Sequence, residues 1–464
     1  MKASLLANES TGGAIAREGF GYQDAFVLQH LPRWLAQGAF SHVVSEAVGD
    51  IEVCYFGMNG TIVRTFFEAK SYALSWSAFW DEIRQFKKVH DTSPTEFPRF
   101  VLVCRDFNSN TSPLVAMISR LRGVGSSYDA NSPMLAHTRE EIIQWIVDKE
   151  QPRERAQFVV DRVDFVTYAD ENAHAAFSGE IECCLPSINL RAKDAAAFRE
   201  HCVRLVTRSG RGPVMRGEIE AALLGVLAGD TAIWEKTPTL LSLADVASVH
   251  ELCLIVEPFN GPARAALKMT DWQHLSARAA AIAEFIKRSR LRSTIALSSK
   301  QRISLACLLG YTFGATKGFI LDIEHNGAHF RTDEHVQGTA PFFTDGLSRG
   351  DDGMKEGVVS IAFPTSADAD VAVAIAENLA RAPRLELTST DVIDSALKLN
   401  RAVAEAKSAL VEFRSCHRLD VIHLFIKAPS HFAMMLGHRL NAVCCIQLYD
   451  WVDNSYVATC LLTP

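Results

Sequence analysis

Polar and apolar residues alternate from Asp50 to Phe56, with Asp50, Glu52 and Cys54 on one side and Ile51, Val53 and Tyr55 on the other. That period of two predicts a half-buried strand. Gly57, Met58, Asn59 and Gly60 follow, and two glycines with an asparagine are turn chemistry. Residues 61–70 return as a second strand, rich in β-branched and aromatic side chains. With a turn of three or four residues, Asp50 falls opposite Phe67 or Glu68. Glu68 and Lys70 are two apart and share a face.

The flanking patterns place this hairpin in a layered α/β unit. Ala16, Phe20, Phe26, Val27, Leu31 and Leu35 make one face of a helix over 14–37, which Pro32 kinks or splits. Residues 42–48 read as a strand leading to Asp50. After Lys70, Trp76, Phe79, Trp80, Ile83 and Phe86 recur at helical spacing over 75–90. Arg84, Lys87 and Lys88 crowd the C-terminal part of that helix, where cations suit the dipole or could meet a DNA backbone. The apolar run 98–104 suits a central buried strand. The order is helix, strand, hairpin, helix, strand.

Residues 112–228 read mostly as helices, near 113–122, 140–149, 195–206 and 218–227, around a polar patch at 153–182. Arg211 and Arg216 lie in a short basic turn that could hold phosphate or simply join two helices. Residues 230–245 look like a connection, broken at Pro238.

The C-terminal half repeats itself at an offset of 127. Residues 303–313 match 430–440, residues 319–323 match 446–450, and strands near 293–297 and 421–426 also correspond. Lys300 falls on Lys427, and Leu309-Gly310 falls on Leu436-Gly437 late in each helix, a place suited to close packing on the sheet. Between the units, residues 357–363 begin a strand and 364–370 cap an apolar helix over 371–379.

Alternating strands and helices predict Rossmann-like units, whose ligands bind beyond the carboxyl ends of the strands. The loops there carry Lys300, Arg302, Ser366, Lys427, Ser430 and His431, and basic groups beside helix N-termini suit phosphates. Tyr449 and Trp451, at the end of the last repeat strand, could stack a base. No glycine-rich phosphate loop is present, and Gly19-Phe20-Gly21 lacks both a preceding strand and a third glycine. Two related halves facing each other would form a pseudo-symmetric pocket suited to a small cyclic nucleotide. Alternatively, the repeat only builds the sheet.

Composition narrows the class. At 464 residues the chain predicts about two to four domains. Its 48% hydrophobic and 22% charged content indicates a core-forming, soluble protein without a membrane span or signal peptide. Eleven cysteines without a Cys-x-x-Cys read as reduced residues in a cytoplasm. A net charge of −7 excludes holding nucleic acid by bulk charge and leaves local patches.

The candidate chemistry centres on the hairpin. Facing carboxylates repel unless something offsets them, and a hard divalent cation does so. Asp50 and Glu68 are the candidate ligands of Mg²⁺ or Mn²⁺, with Glu46 a possible third. Lys70 would steady the nucleophile or developing charge. Gln23 is either an exposed helix residue or a helix-borne group reaching the hairpin. Glu-x-Lys alone means little, since Glu405 and Lys407 repeat it inside a helix.

The Asp50…Glu68-x-Lys70 arrangement and the element order resemble the PD-(D/E)xK nucleases. Residues 421–429, Met435-Leu436-Gly437, Leu448-Tyr449-Asp450 and Tyr456 resemble the end of SAVED domains, which look like two fused CARF units. Residues 19–23 with Glu46, Asp50, Glu68 and Lys70 resemble the nuclease domain preceding SAVED in some CBASS antiviral effectors. The resemblance implies an α/β chain with a restriction-endonuclease-like domain and helical extension over 1–228, a linker over 229–245, and a SAVED domain over 246–464. It implies that a partner nucleotidyltransferase makes a cyclic di- or trinucleotide, the trinucleotide being favoured. SAVED binds it, the protein forms homo-oligomers, and double-stranded DNA is cut with little sequence preference. Asp50 and Glu68 would hold the metal, Lys70 would assist attack, and Gln23 would be accessory. A non-catalytic sensor that recruits another effector and an RNase with the same metal site are the alternatives.

Overall fold

The computed structural model describes residues 8–58, 60–129, 131–208, 212–227, 239–244, 249–334, 341–351, 353–375 and 379–464. They form two compact units, one up to Val226 and the other from Thr239 onward.

The first unit is a six-stranded sheet between two helical layers. Its strands are β1 (Phe40–Ser45), β2 (Ile51–Phe56), β3 (Ile62–Lys70), β4 (Arg99–Cys104), β5 (Val163–Thr167) and β6 (Val214–Met215), in spatial order β5-β4-β3-β2-β1-β6. Its helices are α1 (Asn8–Ala36), α2 (Trp76–Thr92), α3 (Ser112–Gly123), α4 (Pro133–Val147), α5 (Arg153–Arg162), α6 (Ala173–Cys184), α7 (Ala192–Val206) and α8 (Arg216–Val226). Alternation along the strands sorts the core. Ile51, Val53, Phe67 and Val103 pack with Phe26, Leu31, Phe177 and Phe198 of α1, α6 and α7. Phe66, Phe100, Leu102 and Cys104 pack with Phe79, Ile83, Phe86 and Ile143 of α2 and α4. Central strands buried on both faces are nearly all apolar, as β4 is.

Three local expectations change. α1 runs unbroken through Pro32 rather than splitting. β1 stops at Ser45, because Glu46 turns the chain with φ 57°. The polar patch at 153–182 holds α5, most of α6 and the edge strand β5. β5 is short, and only Val163 and Phe165 point fully inward.

Arg216 is not a phosphate ligand. Its guanidinium is buried and donates to Glu220 Oε1 (3.0 Å), Gln37 O (3.0 Å) and Leu35 O (2.6 Å). It therefore satisfies carbonyls at the end of α1 that have no intrahelical partner. Arg211 lies outside the described residues. Arg84 and Lys87 of α2 form ion pairs, Arg84 with Asp81 and Lys87 with Asp91 and with Glu154 of α5.

The second unit carries the repeat. One parallel strand–helix–strand module is β10 (Thr294–Ser298), α11 (Ile303–Thr312) and β11 (Ile320–His325), in a four-stranded sheet β12-β11-β10-β7. In that sheet β7 is Thr239–Leu240 and β12 is Ala328–Arg331, so part of the expected linker is an edge strand, while 228–238 lie outside the described residues. Strands β8 (Ser242–Ala244) and β9 (Cys253–Ile255) pair separately, before the helices α9 (Glu257–Asn260) and α10 (Met269–Ser289).

The second module is β16 (Val421–Lys427), α14 (Ser430–Arg439) and β17 (Cys445–Val452). It lies in a six-stranded sheet β13-β15-β14-β16-β17-β18, with β13 Thr344–Ser348, β14 Glu356–Ala362, β15 Arg384–Thr388 and β18 Ser455–Leu462. Helices α12 (Asp368–Ala374) and α13 (Ala396–His417) connect its strands.

The repeated glycines pack helix on helix rather than helix on sheet. A Cβ on Gly310 would lie 1.9 Å from Met434 O, and one on Gly437 would lie 2.1 Å from Cys307 O. The offset of 127 also relates Cys307 to Met434, so the two contacts are one contact repeated by a pseudo-twofold axis.

All eleven cysteines are free. Among the described residues, no helix is long and apolar enough to cross a membrane.

Candidate functional site

The β2–β3 register pairs Ile51 with Phe67, so the next rung sets Asp50 opposite Glu68. Asp50 is fixed there because its Oδ2 accepts the Ala69 N–H at 2.8 Å, while its carbonyl accepts the Glu46 N–H at 2.9 Å. Lys70 Nζ donates to Glu68 Oε1 at 2.5 Å and lies 3.4 Å from Glu82 Oε1 on α2. Gln23, buried on α1, contributes a side-chain hydrogen bond to Asp50. The structure thus gathers Asp50, Glu68, Lys70 and Gln23.

Neighbouring charges and burial act on the cluster in opposite directions. Burial pushes the Asp50 carboxyl above its ordinary range and the charge of Glu68 adds to this, while the Ala69 N–H, Lys70 and Gln23 oppose them. Burial alone would lower the Lys70 ammonium, but Glu68, Glu82 and Asp50 outweigh it and hold the amine above its usual value. A positive ion against the two carboxylates would relieve the strain on Asp50. The donors present, two carboxylates on adjacent strands, fit a hard cation that keeps water and substrate oxygens in its other positions. Glu46 is exposed on its turn. Among the described residues no group of three or more His, Cys, Asp or Glu side chains is arranged to hold a metal.

Glu82 escaped the sequence reading. The signal was present: it lies on the same stripe as the buried Phe79, Ile83 and Phe86, where an amphipathic helix would carry an apolar residue.

In the second unit the eight expected ligand residues separate. Lys427 and Trp451 line a cavity of about 370 Å³ with Ile303, Asp370, Ile426 and Tyr456. Lys427 Nζ donates to Ser366 O at 3.0 Å and pairs with Asp370 at 3.2 Å, so Ser366 contributes its backbone. Trp451 is 43% exposed and meets Tyr456 edge-on at 5.0 Å.

The other five residues have different surroundings. Tyr449 stacks on Phe425 at 4.2 Å and its hydroxyl bonds His423 Nδ1 at 2.7 Å, which occupies its ring. Ser430 donates to Ser299 O. His431 is 2% exposed, lies tilted against His325 at 4.0 Å and stacks on Phe330 at 4.9 Å. Arg302 donates to Asn260 from both its N–H (3.0 Å) and its Nε (3.3 Å), and Lys300 is exposed beside it.

The N-terminus of α11 is already occupied, because Asp450 Oδ1 accepts the Ser304 N–H at 2.9 Å. A carboxylate there does the work expected of a bound phosphate. The repeat hid this, since the position equivalent to Asp450 in the first module is Ile323.

Comparison with known proteins agrees with the division of labour. Residues 11–210 match the family described as "Cap4, dsDNA endonuclease domain". Residues 279–462 match "SAVED: SMODS-associated and fused to various effectors sensor domain". The chain is 47% identical to CD-NTase-associated protein 4 of Moraxella osloensis over 460 residues, 99% of each chain. It is similar to the solved Acinetobacter baumannii Cap4 SAVED/CARF-domain containing receptor with the cyclic trinucleotide 3′3′3′-cAAA. That match has a TM-score of 0.89, 43% identity, and coverage of 96% of this chain and 99% of that one. The solved Moraxella osloensis receptor matches with a TM-score of 0.84, 44% identity, and coverage of 97% and 100%.

Proposed function

The chain belongs to the CD-NTase-associated protein 4 family of nuclease–SAVED effectors of CBASS antiviral defence, and from that premise we propose that it is a double-stranded DNA endonuclease switched on by a cyclic trinucleotide. The observation that carries the reading is the meeting of Asp50, Glu68 and Lys70 on one hairpin. Asp50 and Glu68 would hold Mg²⁺ or Mn²⁺, whose chemistry is to neutralise charge on a phosphodiester and acidify water. Lys70 is held in its ammonium form by the neighbouring carboxylates and is partly open to solvent, so it can donate to a phosphate oxygen as negative charge develops. Gln23 holds Asp50 in orientation.

In the second unit Trp451 and Tyr456 offer aromatic faces for a base, and Lys427 offers a cation for phosphate. The activator is the product of a partner nucleotidyltransferase. Its binding gathers several copies of the chain, and assembly gives an acidic protein enough contacts to grip a duplex.

The test is plasmid DNA incubated with the full chain, Mg²⁺ and a panel of cyclic di- and trinucleotides. The reading requires cutting with at least one ligand, loss of cutting in Lys70→Ala, and unchanged ligand binding in that variant. A panel that elicits no cleavage refutes it. Cleavage of RNA but not duplex DNA replaces it with a ribonuclease.

A further inference from the structure

We propose that Glu82 is a positioning residue for Lys70, the group that keeps the ammonium in the nuclease site once Glu68 is engaged elsewhere. The assignment rests on the nuclease reading above. Lys70 Nζ has two carboxylate neighbours, Glu68 Oε1 at 2.5 Å and Glu82 Oε1 at 3.4 Å. The first belongs to the pair that would hold a cation. When Glu68 gives its oxygens to that cation, its negative charge is largely spent, and Lys70 loses its shorter contact. An amine on a four-carbon stem then has many rotamers open to it. Glu82 is the remaining acceptor. It can hold one N–H of the ammonium and leave the other two for phosphate oxygens.

Its own setting supports that role. Glu82 sits on the inward flank of α2 with a side chain only 22% exposed, beside the buried Phe79, Ile83 and Phe86. A carboxylate there is costly unless paired, and its pairing is with Lys70. α2 is also well anchored: Ser75 caps it by accepting the Ala78 N–H, and Trp80, Ile83 and Phe86 lie in the core. Glu82 therefore reaches Lys70 from a rigid element, whereas Glu68 lies on the same strand as the lysine.

The experiment compares the full-length wild type with Glu82→Ala, Glu82→Gln, Lys70→Ala and Asp50→Asn. Duplex cleavage is measured with whichever ligand of the panel above elicits cutting. Three quantities are read: kcat and KM for duplex DNA, the Mg²⁺ concentration for half-maximal rate, and the shift in melting temperature that Mn²⁺ alone produces without DNA. Misplacing a reacting group by about 1 Å costs up to about 100-fold, so Glu82→Ala should lower kcat by about ten-fold or more. KM, the Mg²⁺ midpoint and the Mn²⁺-induced shift should stay at wild-type values. Glu82→Gln keeps an oxygen acceptor for the ammonium and should recover most of the rate. Asp50→Asn should lose the Mn²⁺-induced shift.

Wild-type kcat in Glu82→Ala overturns the assignment. So does a raised Mg²⁺ midpoint or a lost Mn²⁺ shift in that variant, which would make Glu82 a ligand. If Glu82→Ala does not fold, Glu82→Gln and Glu82→Asp decide: the assignment needs Asp, with its shorter reach, to be slower than Gln. Cutting by wild type but not Lys70→Ala, with Glu82→Ala unaffected, sinks this inference and leaves the nuclease reading intact. No cutting by wild type sinks both.

Discussion

Replacing Gly310 by alanine adds one methyl group to a helix, a change that is ordinarily favourable by about 1 kcal/mol because alanine is the better helix former. Here the added Cβ would stand 1.9 Å from Met434 O. Ordinary contact begins near 3.5 Å, so the two helices must separate by roughly 1.5 Å. The obstructing atom is a main-chain carbonyl in mid-helix and has no rotamer to adopt. Overpacking of this kind costs about 1–3 kcal/mol and sometimes more, which exceeds the propensity gain. A net loss of about 1–2 kcal/mol in a unit of this size lowers its melting temperature by roughly 2–8 °C.

Gly437→Ala meets Cys307 O at 2.1 Å and should cost a similar amount. One separation of the helices relieves both clashes, so the double variant should lose clearly less than the sum of the single variants. Gly225→Ala is the control, because a Cβ there meets nothing within 4 Å and should be neutral or slightly stabilising. Scanning calorimetry of the full chain reads all four proteins. If Gly310→Ala and Gly437→Ala melt like Gly225→Ala, the helices are not in backbone contact and the reasoning fails. If the double variant is fully additive, the shared-separation argument fails.

Three further outcomes follow. Arg216→Met should cost about 3–5 kcal/mol in denaturant unfolding, because it removes the guanidinium paired with the buried Glu220 carboxylate and the donors to Leu35 O and Gln37 O. Burial lowers His431 and His438 to about 4, so the unfolded chain takes up protons that the folded chain refuses. Their contribution to stability is complete above about pH 6.5 and is lost toward pH 4, by about 1.4 kcal/mol per pH unit for each histidine. His431→Phe should therefore reduce the slope of unfolding free energy between pH 6 and 5 measured in urea. Trp451→Ala should weaken calorimetric binding of 3′3′3′-cAAA by roughly 1–3 kcal/mol, the usual value of a stacked base, without lowering the melting temperature.

The hairpin was legible in the sequence because period-two alternation and a glycine-rich turn fix which residues oppose one another. Asp50, Glu68 and Lys70 needed nothing beyond local register. Gln23 needed a long-range contact, so its place on the helix left both an exposed residue and a group reaching the hairpin open. Glu82 was hidden by its context, since one carboxylate among aromatic residues reads as an imperfect apolar stripe. In the second unit the repeat showed which segments are equivalent but not what each one touches. Gly310 and Gly437 were therefore assigned to the sheet instead of to each other's helices. Equivalence also concealed a difference: Asp450 fills the start of α11, and no residue of the repeat announces it. Ser430, His431 and Tyr449 stood in the expected loops and strand end, but their side chains are used in packing.

The position of Arg216 bears on how the first unit can be isolated. A residue near the end of that unit closes the helix at its beginning, through Leu35 and Gln37. Cutting the polypeptide near residue 210, where the nuclease family match ends, would remove this clasp together with β6 at the sheet's edge and the whole of α8. A free-standing nuclease piece has to extend at least to Val226 to hold its first helix shut.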